Sequence, residues 1–234
     1  LLYQNRDDHE ARAFIGQLTT HLAIESGSKV LDLACGKGRH SLTLAQLGFE
    51  VLGADLAANS IAAANEQKQI LGLKNLHFLV HDMRLPIPGC QFTAILNLFT
   101  SFGYFDALKD NAQVCQSIAQ MLAPNGLLVI DFLNAQKVIN KLVPEETIIR
   151  EGIQFNITRW HDDAHIYKKI ELFEHENNKQ IGVFTERVQA LGLFDFQALL
   201  APYFDLLTTF GSYQLTPFDP ATSDRLILIA KKKI

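Results

Sequence analysis

The sequence predicts an open α/β fold: a doubly wound, mostly parallel, seven-stranded sheet of the Rossmann-like kind, carrying an antiparallel β insertion. Three observations predict it. Short apolar runs alternate with amphipathic stretches up to about residue 132, the mark of parallel βαβ units joined by right-handed crossovers. From residue 145 to residue 190 the pattern changes to period-2 alternation. After residue 190 a helix pattern and two strand patterns return. The expected organisation is one domain over residues 1–234, with residues 145–190 inserted as a β subdomain that roofs the site.

Taken in order, Ala11, Phe14, Ile15, Leu18, Leu22 and Ile24 recur at helical spacing, so residues 7–24 read as an amphipathic helix ended by Gly27. Residues 29–34 are a short strand running into the turn Cys35-Gly36-Lys37-Gly38. A helix over 40–47 stops at Gly48, and a second strand over 50–54 ends at Asp55. An alanine-rich helix over 59–71 has Gly72 as its stop. Strands follow over 76–80 and 92–98, then a long helix over 107–122. The turn Pro124-Asn125-Gly126 precedes a fifth strand over 127–132. Within the insertion, Ile153-Phe155-Ile157 and the run 166–172 alternate, with turn residues at Asp162-Asp163 and over 176–179, which suggests three or four antiparallel strands. A helix over 195–200 and strands over 204–209 and 225–230 complete the pattern.

Composition narrows the function classes. Hydrophobic residues make up 48% and charged residues 20% of the 234, as in a soluble globular protein rather than a disordered one. No apolar run approaches the roughly 18 residues that span a bilayer, and the polar start of the chain does not read as a signal peptide. The net charge of −4 gives no electrostatic footprint for nucleic acid, and Lys231-Lys232-Lys233 reads as the solvated end of a strand. Three scattered cysteines, Cys35, Cys90 and Cys115, fit reduced thiols in a cytoplasm better than a disulfide framework. The expected partner is a small molecule, with monomer and homodimer both open.

Chemistry concentrates on the turn after the first strand. In open parallel sheets ligands bind beyond the carboxyl ends of the strands, where strand order reverses. Glycines there allow positive φ and close approach of the backbone, and the helix behind the turn points free N–H groups into the same space. A dinucleotide fingerprint wants a third glycine, which here falls on Ser41. Asp32, just before the turn, would repel a pyrophosphate but suits a ligand bearing sulfonium and ammonium groups. Asp55, ending the second strand, can accept hydrogen bonds from both hydroxyls of a ribose. Asp82, beyond the third strand, is placed to accept from the exocyclic amine of adenine.

These residues carry a family resemblance. Val30-Leu31-Asp32-Leu33-Ala34-Cys35-Gly36-Lys37-Gly38-Arg39 resembles the first motif of class I S-adenosylmethionine-dependent methyltransferases. Val51-Leu52-Gly53-Ala54-Asp55-Leu56-Ala57 is similar to their second motif and His81-Asp82-Met83-Arg84 to their third. The segment 97–105, from Asn97 to Phe105, resembles the fourth-strand region of a small-molecule-type branch, and Ser223–Ala230 the last strand. The resemblance implies S-adenosylmethionine as cofactor. It places Asp32, Ala34 and the Gly36–Gly38 backbone around the methionine part, and Asp55 on the ribose. Leu56, Asp82 and Met83 fall around the adenine, and Asn97 and Phe99 on the floor near the sulfonium. Arg6, with Tyr3 in an N-terminal lid, is implied as a partner of the cofactor carboxylate.

Phe102 and Tyr104 are candidates for a substrate-facing aromatic wall. Trp160 reads as packing for the inserted sheet and Cys35 as a small filler, because no base stands near it. His161-Asp162-Asp163-Ala164-His165 has histidines four apart, but they share a face only on a helix, and this segment reads as a hairpin; no metal is expected. No catalytic residue is identified, since methyl displacement from a sulfonium needs positioning rather than an obligatory base. The expected function is therefore methyl transfer from S-adenosylmethionine to a small acceptor. Two other classes stay open: a non-catalytic binder of the cofactor or of S-adenosylhomocysteine, and a nicotinamide oxidoreductase, which Ser41 and Asp32 disfavour.

Overall fold

The computed structural model describes residues 8–233. Helix α1 (Asp8–His21) precedes β1 (Lys29–Leu33), α2 (Arg39–Gln46), β2 (Glu50–Asp55), α3 (Ala58–Ile70) and β3 (Leu76–Val80). Next come β4 (Phe92–Asn97), α4 (Leu108–Met121), β5 (Leu122–Leu133) and a short α5 (Ala135–Asn140). Four strands follow, β6 (Glu145–Arg150), β7 (Ile153–His161), β8 (His165–Glu174) and β9 (Lys179–Gln189), then α6 (Leu193–Leu200), β10 (Phe204–Phe210) and β11 (Arg225–Lys232).

Seven strands form one sheet in the order β10-β11-β5-β4-β1-β2-β3. Pairing is parallel from β3 across to β5, and β11 runs antiparallel to both its neighbours. The chain moves outward through β2 and β3, then returns to place β4 on the other side of β1. That reversal opens a crevice at the carboxyl ends of β1 and β4, where an open α/β sheet binds its ligand.

Successive side chains of a strand face opposite ways, and each face is covered. Val30, Val51, Leu76, Leu96, Val129, Ile227 and Ile229 pack with Phe14, Ile15, Leu18 and Leu44 from α1 and α2. Leu31, Leu33, Ile95, Leu128, Ile130, Leu226 and Leu228 pack with Val114, Cys115 and Ile118 of α4 and with Phe196 and Leu200 of α6. Strands apolar on both faces are what a doubly covered parallel sheet requires. Among the described residues no helix is long and apolar enough to cross a membrane.

The remaining four strands form a separate antiparallel sheet, β6-β7-β8-β9. Its first hairpin turns on Glu151 and Gly152, both at positive φ (50° and 76°), the two-residue geometry that matches strand twist. Asp162 ties the second hairpin: its Oδ1 accepts from the Ala164 and His165 amides at 2.8 and 2.7 Å, and Tyr167 donates to Oδ2 at 2.7 Å. Trp160 stacks on Tyr167 with centroids 5.1 Å apart. Ile166 and Val188 join the core of the main sheet, so the second sheet is anchored to it through side-chain packing.

Two features depart from the sequence reading. Helix α5 is additional; six residues are too few for a periodic signal, although Asn134 caps it by accepting from the Lys137 amide. The turn at Pro124-Asn125-Gly126 lies inside β5 as a bulge, where the register jumps from Phe92↔Leu122 to Ala94↔Leu127.

Candidate active site

The turn after β1 is left-handed at Ala34, Gly36 and Gly38 (φ 61°, 56° and 80°). Two backbone bonds shape it, Cys35 N–H to Ala54 O and Gly38 N–H to Cys35 O, both 3.0 Å. Asp55 then clasps it from the end of β2: Oδ2 accepts from the Gly36 amide and Oδ1 from the Ala57 amide, each at 2.8 Å. The two glycines serve different needs. A Cβ on Gly36 would meet nothing within 4 Å among the described residues. A Cβ on Gly38 would lie 2.5 Å from the Phe78 ring, so Gly38 answers to packing as well as to φ.

Asp32 is corrected as a cleft residue. It is 1% exposed and its Oδ2 accepts a 2.5 Å bond from the Ser41 hydroxyl. The acidic residue before the turn and the serine in the third-glycine position therefore form one internal pair beneath the turn. Burial lifts the Asp32 carboxyl from its ordinary 3.8 to about 6, with the Ser41 bonds pulling it back down. The folded state thus holds this proton more tightly than the unfolded chain does. Its contribution to stability is complete below pH 3.8 and is lost as the pH rises through 6, about 3 kcal/mol over the full window. In Asp32→Asn that pH dependence is expected to vanish. Urea unfolding at several pH values checks it; parallel curves for the two proteins would contradict the assignment.

A cleft of about 1230 Å³ opens at the carboxyl ends of the strands. Ala34, Asp55, Leu56, Asp82, Met83, Phe99 and Tyr104, all singled out in the sequence, line it together. Leu56 is 69% exposed there, an apolar side chain beside a carboxylate. Asp82 is held by Arg84: the backbone amide and Nε donate to Oδ1 at 2.9 and 3.1 Å, and Nη2 donates to Oδ2 at 2.6 Å. That hydrogen-bonded pairing keeps the Asp82 carboxyl below the usual carboxylate range.

Two further candidates stand back from the cleft. Phe102 is fully buried, 5.5 Å from the Phe196 ring, so it is core and not a substrate contact; a run of aromatics carries no periodic signal of which one turns inward. Asn97 is buried under the floor, its Nδ2 donating to Leu33 O at 2.9 Å, and supports the cleft without lining it. Arg6 and Tyr3 lie outside the described residues.

The structure adds a cluster not anticipated from sequence. Phe99 and Thr100, directly after β4, are both left-handed (φ 65° and 58°), a conformation costing about 1–3 kcal/mol per non-glycine residue. Asp131 of β5 holds them. Its buried Oδ2 accepts from the Phe99 amide at 2.9 Å and from the Tyr213 hydroxyl at 3.2 Å, while its Oδ1 takes Arg225 Nε at 2.7 Å. Arg225 Nη2 donates to the Thr100 hydroxyl at 3.0 Å, and its guanidinium lies 5.9 Å from the Phe99 ring centroid. One buried ion pair therefore fixes the strained loop at the cleft floor.

A reversing parallel sheet, a glycine turn clasped by the carboxylate ending β2, and an apolar shelf beside that carboxylate come together at the cleft. Together they define a class I S-adenosylmethionine-dependent methyltransferase, with S-adenosylmethionine as its cofactor. A family model described as "Methyltransferase domain" matches residues 24–181, and the chain belongs to that family. It is 34% identical over 121 residues to "Putative methyltransferase YqeM" of Bacillus subtilis (strain 168), covering 51% of this chain and 47% of that protein. It is 31% identical over 153 residues to a glycine/sarcosine N-methyltransferase of Parasynechococcus marenigrum (strain WH8102), covering 62% and 51%. A shorter match, 40% over 80 residues, covers 34% of this chain and 18% of a 23S rRNA (uracil(1939)-C(5))-methyltransferase, RlmD, of Marinomonas posidonica. The chain thus spans about half or less of the length of these curated relatives. A crystal structure of an S-adenosylmethionine-dependent methyltransferase from Clostridium acetobutylicum ATCC 824 shares the fold with a TM-score of 0.85 at 16% identity, covering 99% of this chain and 94% of that one.

Proposed function

We propose that this chain transfers the methyl group of S-adenosylmethionine to a small-molecule acceptor held between the sheet ends and the four-stranded sheet. The observation that carries this reading is one cleft lined at once by Asp55 and Leu56 at the end of β2, by Tyr104, and by Ile166 and Val188 of the second sheet. Asp55 takes the two ribose hydroxyls; Leu56 and Met83 flank the adenine, and Asp82 receives its amine. The backbone at Ala34, Gly36 and Gly38 runs along the methionine part, and Phe99 sits by the sulfonium. The bound cofactor supplies an activated methyl group, and the acceptor atom displaces it in line. The chain's own work is to hold that atom on the S–C axis and to keep water out. No side chain is assigned as a base.

A small molecule is favoured over RNA because the chain carries a net charge of −4, against what phosphate-backbone binding needs. The free cysteines Cys35, Cys90 and Cys115 favour a reducing compartment, the cytoplasm. The test is incubation with methyl-labelled cofactor and a metabolite extract, with products identified by mass, alongside calorimetry with S-adenosylhomocysteine and NAD. Label in a metabolite and tight S-adenosylhomocysteine binding are expected. Binding without label in any metabolite would favour the non-catalytic cofactor binder, and preference for NAD would sink the reading.

A further inference from the structure

Charge along the cleft is divided between its two ends. At the cofactor end stand Asp55, Asp82, Asp106 and Asp110, with Arg84 the cation among them. Arg84 ties this end together, bound to Asp82, 3.7 Å from Asp110 and over the Phe105 ring. At the other end, where β5, α5 and β11 meet the second sheet, the lining is reversed. Lys137 of α5, Lys141 directly after it and Arg225 of β11 line it, with Arg159 and Lys168 from paired positions on β7 and β8. Three acidic residues, Glu146, Glu186 and Asp224, line this end against those five cations. The chain as a whole is acidic, so composition does not account for a basic half.

The counter-ions cancel only part of it: Asp131 neutralises Arg225 from behind, and Glu186 stands beside Lys168 in register on β9. Asp224, partner of Lys137, is 80% exposed, and Glu146, partner of Arg159, is 41% exposed, so water screens both pairs. Lys141 makes no ion pair among the described residues. Arg225 is the firmest element. Its side chain is 17% exposed, Asp131 fixes Nε from behind and Thr100 takes Nη2, while Nη1 has no partner among the described residues. A guanidinium locked in place with donors unspent on a cleft wall is preorganised for a carboxylate or a phosphate oxygen.

We infer that the acceptor carries an anionic group, a carboxylate or a phosphate, held by Arg225 and Lys141 at the end of the cleft away from the adenosine. The inference rests on the proposed methyl transfer for the words "the acceptor", but the anion site stands on the charges alone. The division also suits the pair of ligands: the adenosine of the methyl donor lies in the acidic half and the anionic acceptor in the basic half.

The test is calorimetry on protein saturated with S-adenosylhomocysteine, titrated with citrate and with pyrophosphate, and with putrescine as a cationic control. Saturable binding of at least one anion is expected, weakened tenfold or more in Lys141→Glu and in Arg225→Gln, with S-adenosylhomocysteine affinity in Lys141→Glu within twofold of the parent. Lys141 is exposed and makes no ion pair among the described residues, so Lys141→Glu carries the test even where Arg225→Gln fails to fold. No saturable anion binding, or equal binding by parent and Lys141→Glu, overturns the inference. The labelled-extract experiment separates the two readings. A methylated product that is neutral or cationic overturns the anionic acceptor and leaves methyl transfer standing. Anion binding with no labelled product sinks methyl transfer and leaves the anion site.

Discussion

Asp131→Ala is expected to destabilise the protein by about 3–5 kcal/mol, because it strands a charge the fold has already buried. Arg225 would keep its nearly buried position but lose the carboxylate at 2.7 Å from its Nε. The Phe99 amide would lose its acceptor at 2.9 Å and the Tyr213 hydroxyl its partner at 3.2 Å. Phe99 and Thr100 would then hold two consecutive left-handed conformations with a single tie to β5, the bond from the Thr100 amide to Asp131 O. For a chain of this size such a loss lowers the melting temperature by on the order of 10 °C. Asp131→Asn keeps the shape and one acceptor oxygen, so a smaller loss is expected. Asp131→Leu combined with Arg225→Met should recover much of the stability, since a buried pair can often be exchanged for apolar groups at little cost. Thermal and urea unfolding decide the matter. A single Asp131→Ala variant as stable as the parent would mean that Arg225 is not paired as described.

That cluster was illegible in the sequence for a physical reason. Arg225 and Asp131 are 94 residues apart, and their meeting depends on β11 pairing beside β5, which no local pattern encodes. What local patterns do encode came through well. The strand Leu76–Val80 has the boundaries its apolar run suggested, and Asp55 closes β2 where its motif placed it. Side chains were harder than elements. Asp32 next to a glycine turn reads as a ligand group, yet α2 brings Ser41 back onto it nine positions later and hides both. Phe102 stands in a row of aromatics whose inward and outward members only the packing against Phe196 distinguishes. The singled-out residues that do line the cleft mostly sit where one short segment both forms the element and presents the group: Ala34, Asp55 with Leu56, Asp82 with Met83, and Phe99 and Tyr104 after β4.

Asp55→Ala is expected to weaken S-adenosylhomocysteine binding by a hundredfold or more, about 3 kcal/mol, with a smaller effect on folding than Asp131→Ala. Under the proposed reading the carboxylate receives two ribose hydroxyls, and a hydrogen bond to a charged group contributes about 1.5–3 kcal/mol. The same two oxygens accept from the Gly36 and Ala57 amides at 2.8 Å each, so the side chain shapes the turn as well as meeting the ligand. Alanine removes both functions together. The turn keeps its backbone bonds through Cys35 and Gly38, so the fold should tolerate the change. Asp55→Asn separates the two functions. Its amide can still accept one backbone N–H through Oδ1, but its NH₂ group faces the other donor, and the charge is gone. Its binding should fall between parent and alanine. Calorimetry gives the affinities and thermal unfolding in the absence of ligand gives the stabilities. Unchanged affinity in Asp55→Ala would remove the ribose from β2. A loss of binding matched by an equal loss of stability would reduce Asp55 to a clasp for the turn.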